Sequence, residues 1–172
     1  MRVVAGTARG VRLIAPPGRA TRPTSDRVKE AVLNSLQSHM DLVGVSVADL
    51  YCGSGALGIE ALSRGAGSCV FVDSDQAAVA ATNDNVTRAG VADRSTVVRS
   101  DVLRWIEGAP SVDVVLMDPP YEFDAWETLL GCVRSTWAVT ESDRELAVAS
   151  GWELLRSRRY GTTWVQLLHL CS

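Results

Sequence analysis

Asp49-Leu50-Tyr51-Cys52-Gly53-Ser54-Gly55-Ala56-Leu57-Gly58 leaves an apolar run at residues 45–50 and opens a helical pattern that reaches about residue 64. Strand, glycine turn and helix in immediate succession are the first half of a βαβ unit. Downstream the alternation continues. Residues 69–72 read as a strand, 75–89 as a helix stopped by Gly90, 96–99 as a strand and 102–106 as a short helical turn. Residues 112–117 form a strand and 124–136 a helix, 146–149 a short strand, and 152–156 with 163–170 a closing hairpin around Tyr160-Gly161. Strands separated by helices predict an α/β fold with a mostly parallel sheet. The first four strands are uninterrupted apolar runs, as a sheet covered on both faces requires. Upstream, residues 2–5 and 11–14 read as a hairpin around Gly6 and Gly10. After the break at Pro16-Pro17-Gly18 and a loop at residues 19–23, a helix is expected over 26–40, capped by Thr24 or Ser25.

At 172 residues the chain is long enough for one domain with a core that needs neither disulfide nor metal. A hydrophobic content of 47% against 22% charged residues excludes disordered and collagen-like classes. The apolar runs are too short for a bilayer helix, and the first residues lack a signal-peptide stretch, which together predict a cytoplasmic protein. Cys52, Cys69, Cys132 and Cys171 form no C-x-x-C pair, so zinc or dithiol chemistry is not expected and the thiols read as free, mostly buried core residues. Charge is divided unevenly. Residues 1–40 carry seven basic side chains against Asp26 and Glu30, a net +5, while residues 41–172 are −8. This predicts a basic hairpin-helix extension (1–40) on an acidic body (41–172). Arg pairs with phosphate bidentately, so the extension suits a polyanion as well as it suits a solvated surface.

Gly53, Gly55 and Gly58 fit the turn that brings backbone close to a cofactor, either a dinucleotide or S-adenosylmethionine (SAM). Asp49 favours the second. A carboxylate beside the turn repels a pyrophosphate and attracts an ammonium and a sulfonium. Asp73 ends the next strand, where it suits the ribose hydroxyls of either cofactor. Asp101 reads equally as an acceptor for an adenine amino group and as a helix N-cap. The most specific stretch is Asp118-Pro119-Pro120-Tyr121, directly after the fourth strand. Prolines end the ladder with fixed φ and offer no N–H. They leave the Asp118 carboxylate and the Pro119 carbonyl as acceptors for the two hydrogens of an exocyclic amine, and Tyr121 as a stacking ring.

These motifs resemble class I SAM-dependent methyltransferases of amino groups, with a Rossmann-like, mostly parallel seven-stranded sheet. Gly6-Thr7-Ala8-Arg9-Gly10, the run from Arg22 to Glu30, and Leu50 to Ala61 resemble the RsmD family more closely still. The resemblance covers about residues 2–125, with a weaker echo at 152–168. It implies transfer of a methyl group from SAM to N2 of one guanine, position 966 in the usual numbering, of 16S ribosomal RNA. The substrate would be the assembled small subunit (30S) or a late assembly intermediate, and the enzyme a monomer that needs no metal. By the same resemblance Asp49, Gly53 and Gly55 line the methionine end, Asp73 holds the ribose, and Asp101 with Val102 flanks the adenine; Tyr51, Ser54 and Ser74 are expected to bind the cofactor beside them. Asp118, Pro119, Pro120 and Tyr121 hold the guanine, with Asp118 also beside the cofactor. Arg9, Arg12, Arg22, Thr24 and Arg27 meet RNA.

One spacing departs from the pattern. A strand ending near Ala149 and another starting at Trp152 leave no room for a parallel crossover, which predicts that a loop is absent between Ser150 and Gly151. Three other readings compete. An N6-adenine methyltransferase on DNA shares the Asp-Pro-Pro-Tyr motif and lacks only a reason for the N-terminal run. An NAD-dependent oxidoreductase leaves that motif unexplained. A non-catalytic ribosome-assembly factor retaining SAM is separated from an enzyme by Asp118→Ala, which such a factor survives.

Overall fold

The computed structural model describes residues 1–17 and 25–172. Seven strands form one sheet in the order β3-β2-β1-β4-β5-β7-β6. They are β1 (Ser46–Leu50), β2 (Ser68–Asp73), β3 (Ser95–Arg99), β4 (Val112–Met117), β5 (Ser135–Ser142), β6 (Trp152–Tyr160) and β7 (Thr163–Leu170). The first five run parallel, and β7 pairs antiparallel with both β5 and β6. The helices are α1 (Asp26–Gln37), α2 (Ala56–Ser63), α3 (Gln76–Arg88), α4 (Val102–Glu107) and α5 (Trp126–Cys132).

Strand alternation sorts the apolar side chains into two cores. Val47, Phe71, Val114, Leu116, Val139, Val165 and Leu167 face α1, α2 and the N-terminal segment. Ala48, Leu50, Val72, Val115, Met117, Ala138 and Leu168 face α4 and α5. The central helix α2 is buried along its whole length and approaches β2 closely at Gly58. A Cβ there would lie 2.4 Å from the Phe71 ring and 2.7 Å from Cys69 Sγ. Gly58→Ala therefore costs about 1–3 kcal/mol of stability, roughly 5 °C in Tm. A thermal melt of the purified variant checks this, and an unchanged Tm would refute the packing argument.

Three expectations need correction. Residues 2–5 and 11–14 meet only through an isolated antiparallel bridge, Arg2 to Arg12, not as paired strands. The fifth strand is misplaced by the sequence reading. The helix expected to residue 136 stops at Cys132, and β5 occupies Ser135–Ser142, where Trp137, Val139 and Thr140 favour a strand. Residues 146–149 are not a strand. The spacing argument for an absent loop falls with this shift. Residues 143–151 join β5 to β6, and nine extended residues at about 3.3 Å each span the length of β7. They are pinned to it: Leu146 N–H donates to Gln166 Oε1 (2.7 Å) and Gln166 Nε2 donates to the Leu146 carbonyl (3.0 Å). Finally, Cys52 and Cys69 are buried, Cys132 is half-buried and Cys171 is exposed.

The N-terminal segment is fastened to α2. Val4 and Ala5 N–H groups each donate to Glu60, both at 2.9 Å. Ser63 Oγ donates to the Ala5 carbonyl and accepts from Ala8 N–H. Lys29 is wholly buried, donating to the Arg2 carbonyl and to Asp26, with Glu60 at 3.7 Å. Its charge, counted above with the basic extension, therefore never reaches the surface.

Candidate active site

The strand order reverses between β1 and β4, since β2 lies to one side of β1 and β4 to the other. In open α/β sheets ligands bind outside the carboxyl ends of the strands at such a switch point. A cavity of about 690 Å³ opens there. Asp49, Tyr51, Gly53 and Ser54 line it from β1 and its turn, and Asp118, Pro119, Pro120 and Tyr121 from the end of β4. The two motifs, far apart in sequence, thus share one cavity.

The turn is built by local chemistry. Tyr51, Gly53 and Gly55 all have positive φ (58°, 56° and 76°). The tyrosine is a strained position for a side chain with a Cβ, while an added Cβ at Gly53 would meet nothing within 4 Å, so the turn presents open backbone. Asp49 Oδ2 accepts from Gly58 N–H (2.9 Å) in the first turn of α2, and Asp73 accepts from Gly53 N–H (3.0 Å) and Asp75 N–H (2.9 Å). From behind, α3 holds the turn's carbonyls: Thr82 Oγ1 donates to Gly53 O (3.0 Å) and Asn85 Nδ2 to Ser54 O (2.9 Å). Asn85 also exchanges both its amide functions with the backbone of Ile14, tying the N-terminal segment to the glycine turn. Nothing in the sequence reading singled out Thr82 or Asn85.

Carboxylates dominate the electrostatics. Burial pushes the Asp49 carboxyl well above its usual range, and the charges of Asp118 and Asp73 push in the same direction, against the Gly58 hydrogen bond. Burial does the same to Glu141, followed by Asp118 and Asp49. Tyr51, which lines the cavity, is pushed up to about 12 by burial, then by Asp101 and Asp73. A second pyrophosphate-sized set of negative charges would add repulsion here, and a cation would relieve it. The Cys52 thiol is buried and held above its normal range, chiefly by that burial and by Asp49. Both effects disfavour the thiolate, the form that attacks as a nucleophile.

The remaining expected site residues fall into three groups. Asp73, Ser74, Asp101 and Val102 lie outside the cavity lining, at the end of β2 and after β3. Gly55 also stands back from it, as the N-cap of α2. Asp101 caps α4, accepting from Arg104 N–H at 3.0 Å. Arg27 lines the cavity, whereas Arg9 and Arg12 are exposed away from it. Arg22 and Thr24 lie outside the described residues, and the cap of α1 is Ser25, whose side chain accepts from Val28 N–H. The structure adds cavity-lining residues that the sequence did not suggest: Glu141 on β5, Arg159 and Tyr160 on β6, and Thr163 on β7. Placing β5 correctly was the signal needed to find Glu141.

A family model described as "Conserved hypothetical protein 95" matches residues 1–169. The Bacillus subtilis protein YlbH is 34% identical over 181 residues, with 97% of each chain covered. Ribosomal RNA small subunit methyltransferase D of Haemophilus influenzae is 30% identical over 174 residues, covering 94% of this chain and 89% of its own. Among solved structures, Escherichia coli yhhF superposes with a TM-score of 0.86 at 28% identity, covering 100% of this chain and 98% of the other. A sheet with this strand order, a glycine turn and an Asp-Pro-Pro-Tyr stretch meeting in one cavity, and a match along nearly the whole length place the chain in the RsmD family of methyltransferases.

Proposed function

We propose that this protein transfers a methyl group from SAM to the exocyclic N2 of one guanine, of the position-966 type, in 16S ribosomal RNA of the assembled small subunit. The observation that carries the reading is the meeting of Asp118 and Pro119 with the Asp49–Ser54 turn in a single cavity. The name of the Haemophilus relative supports ribosomal RNA as the substrate class.

The residues present fit SAM. Asp49 and its carboxylate neighbours favour a cationic ligand, and the open backbone at Gly53 leaves room for close approach. Asp49, Tyr51, Gly53, Ser54 and Gly55 would hold its methionine end, Asp73 and Ser74 its ribose, Asp101 and Val102 its adenine. When bound, SAM supplies an electrophilic methyl group and leaves as S-adenosylhomocysteine. The chain's own residues do the rest. The target base leaves its stack and rests on Tyr121, a residue that lines the cavity and is 40% exposed. The Asp118 carboxylate and the Pro119 carbonyl accept its two N2 hydrogens. They turn the nitrogen lone pair out of conjugation and stabilise the positive charge that develops on nitrogen, which the methylated amine then loses by giving up one proton to water. Holding the amine in line supplies much of the remaining rate. Arg27 and Arg159, at the cavity wall, meet the phosphates that flank the base. Residues 1–40 form the RNA-facing extension.

The test is transfer of tritiated methyl groups from SAM to 30S particles lacking the modification, to naked 16S RNA and to duplex DNA, followed by nucleoside analysis. N2-methylguanosine from the particles alone is the expected result. Label in DNA as N6-methyl-2′-deoxyadenosine would replace the substrate and leave the fold and cofactor standing.

A further inference from the structure

Glu141 is a buried carboxylate on the wall of the cavity, only 4% exposed. Its Oε1 has no hydrogen-bond partner among the described residues. Buried polar atoms are normally satisfied, and an unsatisfied one facing a cavity is a place where a ligand completes the bonding. The register says which ligand. Met117 on β4 pairs with Thr140 on β5, so one step further along both strands sets Asp118 beside Glu141. Val139 faces the core of α1 and α2, and alternation turns Glu141, two residues on, to the same face. Glu141 therefore lies on the far side of Asp118 from the glycine turn, within reach of a base that is held by Asp118 and points away from that turn.

A guanine presents N2–H₂, N1–H and O6 in that order along one edge. With its amine taken by Asp118 and Pro119, the next groups are a donor and then an acceptor. We propose that Glu141 reads this remaining edge, accepting from N1–H and, as a protonated acid, donating to O6, so that it sets the enzyme's choice of base. This rests on the guanine-N2 reading above. The environment agrees with it: burial with Asp118 and Asp49 nearby favours the protonated form, which carries one donor and one acceptor.

The experiment compares 30S particles reconstituted from 16S RNA with the target guanine kept or replaced by 2-aminopurine. That base retains the 2-amino group but has neither a hydrogen on N1 nor an oxygen at C6. The unaltered protein should prefer guanine by roughly 10- to 100-fold in kcat/KM. Glu141→Gln keeps the preference, because the amide offers the same acceptor and donor. Glu141→Leu, of similar size, brings the two bases within about threefold of each other. A folding defect would slow both substrates alike and leave the ratio unchanged, so a full preference in Glu141→Leu overturns the role of Glu141. Failure of the unaltered protein to methylate the guanine particles overturns the guanine reading, and this inference with it.

Discussion

On the proposed guanine-N2 reading, Asp118→Ala lowers methyl transfer to 30S particles by about 10²–10³-fold while SAM still binds within a few-fold of the unaltered affinity. The first half follows from the chemistry of the amine. A guanine N2 lone pair is delocalised into the ring, and two acceptors are needed to turn it out. Pro119 cannot supply both, since it has one carbonyl and the two N–H groups of the amine point in different directions. Removing the carboxylate leaves one N–H without a partner and the developing charge without its counter-charge.

The second half follows from where the other carboxylates sit. Asp49 is held by Gly58 N–H and Asp73 by Gly53 and Asp75 N–H groups, none of which depends on Asp118. The glycine turn is also clamped from α3 by Thr82 and Asn85. Losing Asp118 removes one of the charges that raise Asp49, so Asp49 ionises more readily and partly offsets the loss of attraction for a cation. Isothermal titration with SAM and single-turnover transfer separate the two effects. Transfer within about threefold of the unaltered rate would sink the acceptor role of Asp118.

The parts of this molecule that the sequence disclosed are those where local chemistry and topology agree. The run from Val112 to Met117 could only be a buried strand, and two prolines after it could only end it. Gly53, Gly55 and Gly58 announced a turn because each answers a separate need for backbone freedom or close packing. Asp101 left two readings open, and the structure displays the cap without excluding a ligand. The region after Asp118 was misread for a physical reason. The helical pattern of residues 126–132 continues plausibly through Val133 and Thr136, and nothing local announces that parallel pairing with β4 takes over at Ser135. That one shift hid Glu141 and made an ordinary connection look impossibly short. Lys29 was misjudged differently: a charge count cannot tell a solvated lysine from one enclosed against Glu60.

Glu60→Ala destabilises the fold by about 3–5 kcal/mol, a fall of roughly 10 °C in Tm. Glu60 and Lys29 are both fully buried. Without Glu60 the Lys29 ammonium keeps, among the described residues, Asp26 and the Arg2 carbonyl, and Arg64 loses its bond at 3.1 Å. The Val4 and Ala5 N–H groups lose their acceptor together. Breaking a buried pair from one side is the expensive direction, because the surviving charge stays enclosed. Replacing both partners with apolar residues, Lys29→Met with Glu60→Leu, recovers part of the loss but not all, since the two N–H groups remain orphaned. Thermal and urea melts of the single and double variants read both numbers. The effect also reaches the site. Met1, Ala15 and Pro16 line the cavity, and the segment carrying them is held to α2 by Glu60 and Ser63. Glu60→Ala therefore weakens SAM binding at temperatures well below its own melting point. An affinity equal to that of the unaltered protein, or a Tm for Glu60→Ala within about 2 °C of the unaltered protein, would refute the claim that this one carboxylate joins the N-terminal segment to the fold.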